Sequence, residues 1–231
     1  MTPRYTQVNC REENKVDLRQ ARAVLRLKPD IILFEYPSDA NVPSWPINKF
    51  KPGSKPLKAI RNLQKKLRDI SRVDPWVASD IKTLENVVRL WENGRQVFLY
   101  SVDAPSELVR YSDALHRNMY RRGPRGWIWW ARIYLRERYM ARNIRWVLNN
   151  YDLTDHPKIL VFLQSFHWKH VKFLLTKPSK EKMWRYYFGQ YSQVTPLTIG
   201  KTIRQENRIL YRYWRKDSDF TGPHLPQRRK H

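Results

Sequence analysis

Three residues have types and positions that could do chemistry: Glu35, Asp103 and His167. Each lies at or just after the end of an apolar run typical of a buried strand, namely DIILFEY (30–36), QVFLYSV (96–102) and KILVFL (158–163). Open α/β sheets bind their ligands beyond the carboxyl ends of parallel strands. If the three runs form one parallel sheet, two carboxylates and an imidazole meet at one edge, and we expect the functional site there.

Two further residues, His170 and Arg136, could take part in the chemistry of this site. His170 follows His167 by three residues, so both imidazoles share a face if a helix begins there, a spacing usable for one metal ion. With Glu35 they could hold one divalent metal ion that activates water. Without a metal ion, Glu35, Asp103 and His167 could serve as general acid and base, with Arg136 stabilising an oxyanion. The ordinary alternative is that Arg136 pairs with neighbours on its own helix and that His167 is a satisfied, half-buried histidine.

The order of elements predicts the fold class. Basic amphipathic helices are expected at 16–27 and 57–70. Further helices are expected at 76–91, 106 to about 120, 180–188 and 201–214, and in the segment where Met140, Ile144, Val147 and Leu148 recur at helical spacing. A proline-rich loop is expected at 37–56. Strands separated by helical patterns indicate an α/β fold with a largely parallel central sheet flanked by helices. We predict an α/β domain over 1–176, a basic aromatic helical extension over 177–218, and a disordered basic tail over 219–231.

The charge balance points to a polyanionic partner, either nucleic acid or an anionic membrane face, with a basic surface that gives solubility as the alternative. The chain of 231 residues has 45 Lys and Arg against 21 Asp and Glu, a formal charge of +24. We expect RNA or DNA to bind the segment RRGPRGWIWW (121–130), interpreted as a loop in which arginines lie beside tryptophans. The residues named for this role are Arg121, Arg122, Arg125 and Trp127. The alternative for the tryptophans is core packing, which we expect for at least Trp129 or Trp130.

Other features restrict the class of protein. P-loop, G-x-G-x-x-G, H-E-x-x-H and G-x-S-x-G motifs are missing from the sequence, which removes support for P-loop nucleotide hydrolysis, Rossmann chemistry and the familiar serine hydrolases. Cys10 is the one cysteine, so we expect a reducing, cytoplasmic setting. The polar N-terminus is not a signal peptide, and no apolar stretch is long enough for a transmembrane segment. A homo-oligomer is compatible with the sequence.

Three motifs resemble the superfamily that joins TraB/PrgY and Tiki proteins with erythromycin-esterase-like and ChaN-like proteins. RERYMA (136–141) is similar to the family's Arg–acid and Met-Ala helix, and QSFH (164–167) to its G-x-x-H element after an apolar strand. KPDIILFEYP (28–37) is similar to its "PD-hydrophobic-E" strand, which would make Glu35 an acidic site residue. The resemblance implies an α/β sheet with a site at the strand ends and hydrolytic activity, including metal-dependent peptidase and esterase chemistry.

The sequence departs from the family's motifs in two places. The N-terminal region reads TQVNCREEN and lacks the family's first motif histidine, and Gln164 stands where the family has glycine. Three hypotheses follow. The chain is a divergent hydrolase, metal-dependent or not, or a non-catalytic protein on the same fold that binds RNA or DNA. The third hypothesis is a structural partner of a larger ribonucleoprotein.

Overall fold

The structure is a computed structural model that describes residues 5–7, 18–37, 65, 75–109, 123–150, 157–191 and 193–217. Several predicted segments lie outside these residues: the loop at 38–56, nearly all of the helix at 57–70, the helix beyond residue 109, and the tail at 219–231. The statements below concern the described residues alone.

A parallel sheet confirms the α/β fold class. Its described strands are β1 (Tyr5–Gln7), β2 (Ile31–Pro37), β3 (Phe98–Asp103) and β4 (Ile159–Phe162), in the order β1-β4-β2-β3 with parallel pairing throughout. Every residue of β4 is buried, as are Ile31, Ile32 and Leu33 of β2. Continuous apolar runs are what a sheet covered on both faces requires, which is why they predict β2, β3 and β4 correctly. The short strand β1 was not predicted.

Helices flank the sheet and form the C-terminal part of the chain. They are α1 (Arg19–Leu27), α2 (Pro75–Glu92), α3 (Pro124–Asn150), α4 (Ser165–Leu175), α5 (Lys180–Phe188), α6 (Pro196–Glu206) and α7 (Arg208–Lys216). The predicted helices at 16–27, 76–91 and 180–188 are confirmed within a few residues at each end. No helix in the described part of the chain is long and apolar enough to cross a membrane.

The chain divides into two compact units, each built from two separate segments. Unit 1 comprises Met1–Asp103 and Asn143–Lys169, and unit 2 comprises Ala104–Arg142 and His170–His231. The domain boundaries predicted at 176 and 218 stay predictions. Unit 1 contains the sheet, and its helices α1 and α2 are joined by a hydrogen bond from Asn86 Nδ2 to the carbonyl oxygen of Ala21, 2.8 Å long.

Unit 2 has an aromatic core. Tyr134 on α3 is fully buried, and its ring centroid lies 5.1 Å from Tyr187, 6.5 Å from Phe188 and 6.2 Å from Trp214. Trp129 is also buried, so the prediction of core packing for at least one tryptophan of the 121–130 segment is confirmed. The aromatic residues that the sequence concentrates in this part of the chain therefore hold α3, α5 and α7 together.

Two predicted elements are corrected by the structure. The segment 121–130 is not a loop throughout, because α3 begins at Pro124. Proline is favoured in the first turn of a helix, and Gly123 before it adopts the left-handed φ of 77° that glycine tolerates, so both residues mark a helix start.

The single helix predicted at 201–214 is in fact two, α6 and α7, separated by Asn207. Asn207 has an extended backbone, and its side chain accepts a 2.8 Å hydrogen bond from the N–H of Leu210.

Candidate functional site

Glu35 and His167 form a buried pair in unit 1. Their closest atoms, Glu35 Oε1 and His167 Nε2, are 3.8 Å apart, and the side chains are 4% and 2% exposed. At this distance the contact is electrostatic and longer than a hydrogen bond. The second carboxylate oxygen, Glu35 Oε2, accepts a 2.6 Å hydrogen bond from the backbone N–H of Gln164. Glu35 of the KPDIILFEYP motif and His167 of the QSFH motif are therefore neighbours in space.

The ends of two adjacent strands position this pair. Glu35 lies in β2 where the pairing register with β3 shifts between Phe34 and Pro37. Such bulges redirect side chains and are over-represented next to active sites. Gln164 follows β4 and immediately precedes α4, so its N–H is at the positive end of that helix, where a carboxylate is stabilised. His167 then lies in the first turn of α4.

Gln164 does not need the conformational freedom of glycine. Among the described non-glycine residues, positive φ values occur at Lys28 and Lys177. The contact to Glu35 uses the backbone N–H of Gln164, which every residue except proline can supply. The departure from the glycine of the G-x-x-H element is therefore compatible with the observed geometry.

Asp103 lies at the same edge of the sheet. It ends β3, its Cα is paired with that of Pro37 in β2, and its side chain is fully buried. The backbone carbonyl oxygens of Val102 and Asp103 accept hydrogen bonds from Asn143 Nδ2 at 3.1 and 3.2 Å. Three adjacent strands thus bring Glu35, Asp103 and His167 to their carboxyl ends, as their sequence positions predict.

The other two predicted site residues, Arg136 and His170, belong to unit 2. Arg136 is half-buried on α3. His170 Nδ1 lies 2.8 and 2.9 Å from the two carboxylate oxygens of Glu137, which is fully buried and also accepts a 2.6 Å hydrogen bond from the hydroxyl of Tyr187. The histidine expected to share a metal ion with Glu35 therefore has Glu137 as its carboxylate partner.

The metal ion itself stays a prediction. Within the described ranges, no group of three or more His, Cys, Asp or Glu side chains has an arrangement that could hold a metal ion. Glu35 and His167 supply two donors of suitable chemistry, a carboxylate oxygen and an imidazole nitrogen.

The network around Glu137 was missed by sequence reasoning. Glu137 belongs to the RERYMA motif, but that motif does not indicate a histidine partner for it, and Tyr187 lies in none of the three motifs. A local signal exists for Glu137, since it lies three residues before Met140 on the apolar side of α3. No spacing connects it to Tyr187, 50 residues away in sequence.

Most of the residues predicted to bind nucleic acid have side chains that the structure does not describe. Arg121 and Arg122 lie outside the described residues, and the side chain of Arg125 is not described although its backbone is in α3. Trp127 is half-buried and makes an edge-on contact with Tyr191, with 6.3 Å between ring centroids. Trp127 thus takes part in the packing of unit 2, and a role for it in nucleic-acid binding stays a prediction.

Comparison of the chain with protein-family models, with curated proteins and with solved structures finds no match. The resemblance to the TraB and erythromycin-esterase-like superfamily accordingly stays a prediction from the three motifs.

Proposed function

We propose that this chain is a divergent hydrolase of the TraB/erythromycin-esterase-like type, with Glu35 and His167 as its reactive pair. The observation that carries the proposal is the burial of this carboxylate–imidazole pair at the carboxyl ends of two neighbouring parallel strands. Ligand sites of open α/β sheets lie in this place.

The energetics of burial support a functional role for the pair. Removing two ionisable groups from water costs several kcal/mol for each ion, and apolar side chains of the same volume often stabilise a fold equally well or better. The neighbouring residues of β2 and β4 are apolar and fully buried, so this part of the sheet could be built without charge. A role in chemistry would account for an ionisable pair at this place, the carboxyl ends of the strands.

The proposed mechanism assigns one role to each member. His167 acts as a general base that removes a proton from water while the water oxygen attacks the carbonyl carbon of an ester or amide. Glu35 orients the imidazole and stabilises its protonated form, and the proton then passes to the leaving group. The N–H of Gln164 holds Glu35 in place for this purpose. Asp103, which is buried at the same edge of the sheet, has a supporting role in this mechanism.

Two parts of the proposal rest on sequence alone. A divalent metal ion held by Glu35 and His167 would supply a water of lowered pKa in place of general-base catalysis. Arg136 belongs to unit 2, and its role as the cation for an anionic intermediate stays a prediction from the sequence. The proposed setting is the reducing cytoplasm, because Cys10 is the chain's one cysteine.

The test is a screen of nitrophenyl esters and fluorogenic peptides, with and without Mn²⁺, Co²⁺ or Zn²⁺, on the wild type and on His167→Ala and Glu35→Gln. We expect each variant to lose about 10²- to 10⁴-fold in kcat/KM, the usual contribution of a general base. Glu92→Gln, a matched change at an exposed glutamate of unit 1, should keep wild-type activity. Full activity of folded His167→Ala on every hydrolysed substrate would overturn the proposal, as would the absence of any hydrolysis by the wild type.

A further inference from the structure

The last helix of unit 2 separates its cations from its apolar residues. In α7 the four charged residues are Arg208, Arg212, Arg215 and Lys216, and each is exposed. At about 100° of rotation per residue they fall within an arc of about 100° on one side of the helix. The opposite side carries Leu210 and Trp214, which are 0% and 1% exposed.

The preceding helix extends this surface. Lys201 and Arg204 on α6 are exposed, and the guanidinium carbon of Arg204 lies 5.9 Å from the ring centroid of Tyr211 on α7. Arg204 is thereby held beside the cations of α7. We name this surface the α6–α7 basic face; its members are Lys201, Arg204, Arg208, Arg212, Arg215 and Lys216.

Nearby acids leave the positive charge of this face largely intact. Over 201–217 the sequence has six Lys and Arg against two acids, Glu206 and Asp217, and Asp217 is paired with Arg138 at 2.9 Å. Arg212 Nη1 is 3.4 Å from Glu107 Oε2, but the Arg212 side chain remains 55% exposed, and exposed pairs of this kind contribute little. Unit 2 as a whole has 23 Lys and Arg against 7 Asp and Glu, whereas unit 1 has 22 against 14. The surplus charge of the chain is therefore concentrated in the unit that carries this face.

We propose that the α6–α7 basic face binds the phosphate backbone of nucleic acid, without sequence preference. Double-stranded DNA carries one negative charge per about 1.7 Å of helix axis, so cations three or four residues apart along α7, about 5 to 6 Å, can contact several phosphates at once. Contacts to phosphate position a protein but carry no sequence information directly. The activity is separate from the proposed hydrolase and does not depend on it.

The burial of the apolar residues of α7 favours nucleic acid over a membrane surface. A helix that lies in a membrane interface inserts an exposed apolar face between the lipids. Here Leu210 and Trp214 are covered by unit 2, so α7 has no such face to offer. What it presents to solvent is charge, which suits a hydrated polyanion.

The experiment measures binding of the full-length chain to a fluorescent 20-base-pair duplex and to a 20-nucleotide single strand at salt concentrations from 50 to 200 mM. The test variant is Arg208→Gln/Arg212→Gln/Lys216→Gln. The matched control, Arg22→Gln/Arg26→Gln/Arg89→Gln, removes the same charge from exposed positions of unit 1. Circular dichroism and thermal melting check that both variants fold.

For the wild type we expect duplex affinity to fall steeply with salt. In the test variant the slope of log K against log salt should become less steep by about 2 to 3, because each lost phosphate contact removes about 0.9 from it, and affinity at 100 mM salt should drop about tenfold or more. The control variant should keep most of the wild-type salt dependence and most of the wild-type affinity. The proposal is overturned if the two triple variants weaken binding equally, if wild-type affinity is the same at 50 and 200 mM salt, or if the chain binds neither the duplex nor the single strand.

Discussion

Two carboxylate–imidazole pairs are buried among the described residues, and their geometries differ. Glu137 has two hydrogen-bonding neighbours, with His170 Nδ1 at 2.8 and 2.9 Å and the Tyr187 hydroxyl at 2.6 Å. Glu35 and His167 are 3.8 Å apart, and the short contact of Glu35 is to a backbone N–H instead. Charge-assisted hydrogen bonds are among the strongest in proteins, so the first pair suits a structural network. The contact of the second pair is longer than a hydrogen bond, and it is to this pair that we assign the proposed chemistry.

Removal of one hydroxyl tests the structural role of the Glu137 network. Tyr187→Phe deletes the donor to a fully buried carboxylate, so it should lower the free energy of unfolding by about 1–3 kcal/mol. Its neighbour Tyr186 has a side chain at the surface, 36% exposed, and Tyr186→Phe should change stability by no more than about 0.5 kcal/mol. Urea denaturation of the two variants gives both numbers. Equal effects would show that the hydroxyl of Tyr187 is not part of a stabilising network.

The same hydroxyl makes stability depend on alkaline pH. Burial raises the pKa of Tyr187 well above 10, and the nearby Glu137 carboxylate raises it further. A raised folded-state pKa gives stability that is complete below the unfolded pKa of about 10 and falls as the pH rises beyond it. Between about pH 10 and 11 the wild type should therefore lose up to about 1.4 kcal/mol more unfolding free energy than Tyr187→Phe. Parallel pH curves for the two proteins would contradict this.

At the scale of elements, periodicity and capping signals account for what sequence could predict. Helices α1, α2 and α5 and the three longer strands were predicted within a few residues because each has a clear apolar pattern between breakers. The start of α3 was missed because glycine and proline were interpreted as loop residues, although a proline in the first turn is a helix signal. The boundary between α6 and α7 was missed because their apolar residues continue at helical spacing across Asn207.

Asn207 is the residue that makes two helices of this segment. Its side chain caps the N-terminus of α7, and its own N–H donates to Ile203 at the end of α6. Asn207→Ala should lower the free energy of unfolding by about 1 kcal/mol, because it leaves the N–H of Leu210 without its side-chain acceptor. Asn207→Asp or Asn207→Ser, which can cap equally well, should stay within about 0.5 kcal/mol of the wild type. Chemical denaturation distinguishes these results, and a neutral Asn207→Ala would contradict the assigned cap.

At the scale of the whole molecule, sequence predicted the fold class and the shared edge of Glu35, Asp103 and His167, because parallel strands bring their ends together wherever they occur in the chain. The pairing of His170 with Glu137 could not be predicted in this way. It joins residues on two helices, and no rule of strand topology fixes which helix faces meet. Likewise the division into two discontinuous units has no signature in composition or in linker residues.

A shortened chain tests the predicted boundary at residue 176. Unit 2 loses α5, α6 and α7 in such a chain, and with them the partners of two fully buried α3 side chains, Tyr134 and Glu137. We expect residues 1–176 to aggregate or to unfold at least about 10 °C below the full chain, since several kcal/mol of packing is lost. Size-exclusion chromatography and thermal melting of both chains supply the comparison. A monomeric, equally stable 1–176 would support an independent domain with that boundary.

The strand order also has a consequence for synthesis on the ribosome. β4 lies between β1 and β2, with Ile159 paired to both Tyr5 and Ile31, so these two strands are not direct neighbours in the sheet. Until β4 has been translated, the edge of β2 that pairs with β4 has no partner strand, and the apolar side chains of β2 are only partly buried. Long-range parallel pairing of this kind folds slowly and leaves nascent chains prone to aggregation. Nascent chains stalled before residue 159 should therefore be good clients for ribosome-associated chaperones, and chains stalled well beyond residue 175 much poorer ones.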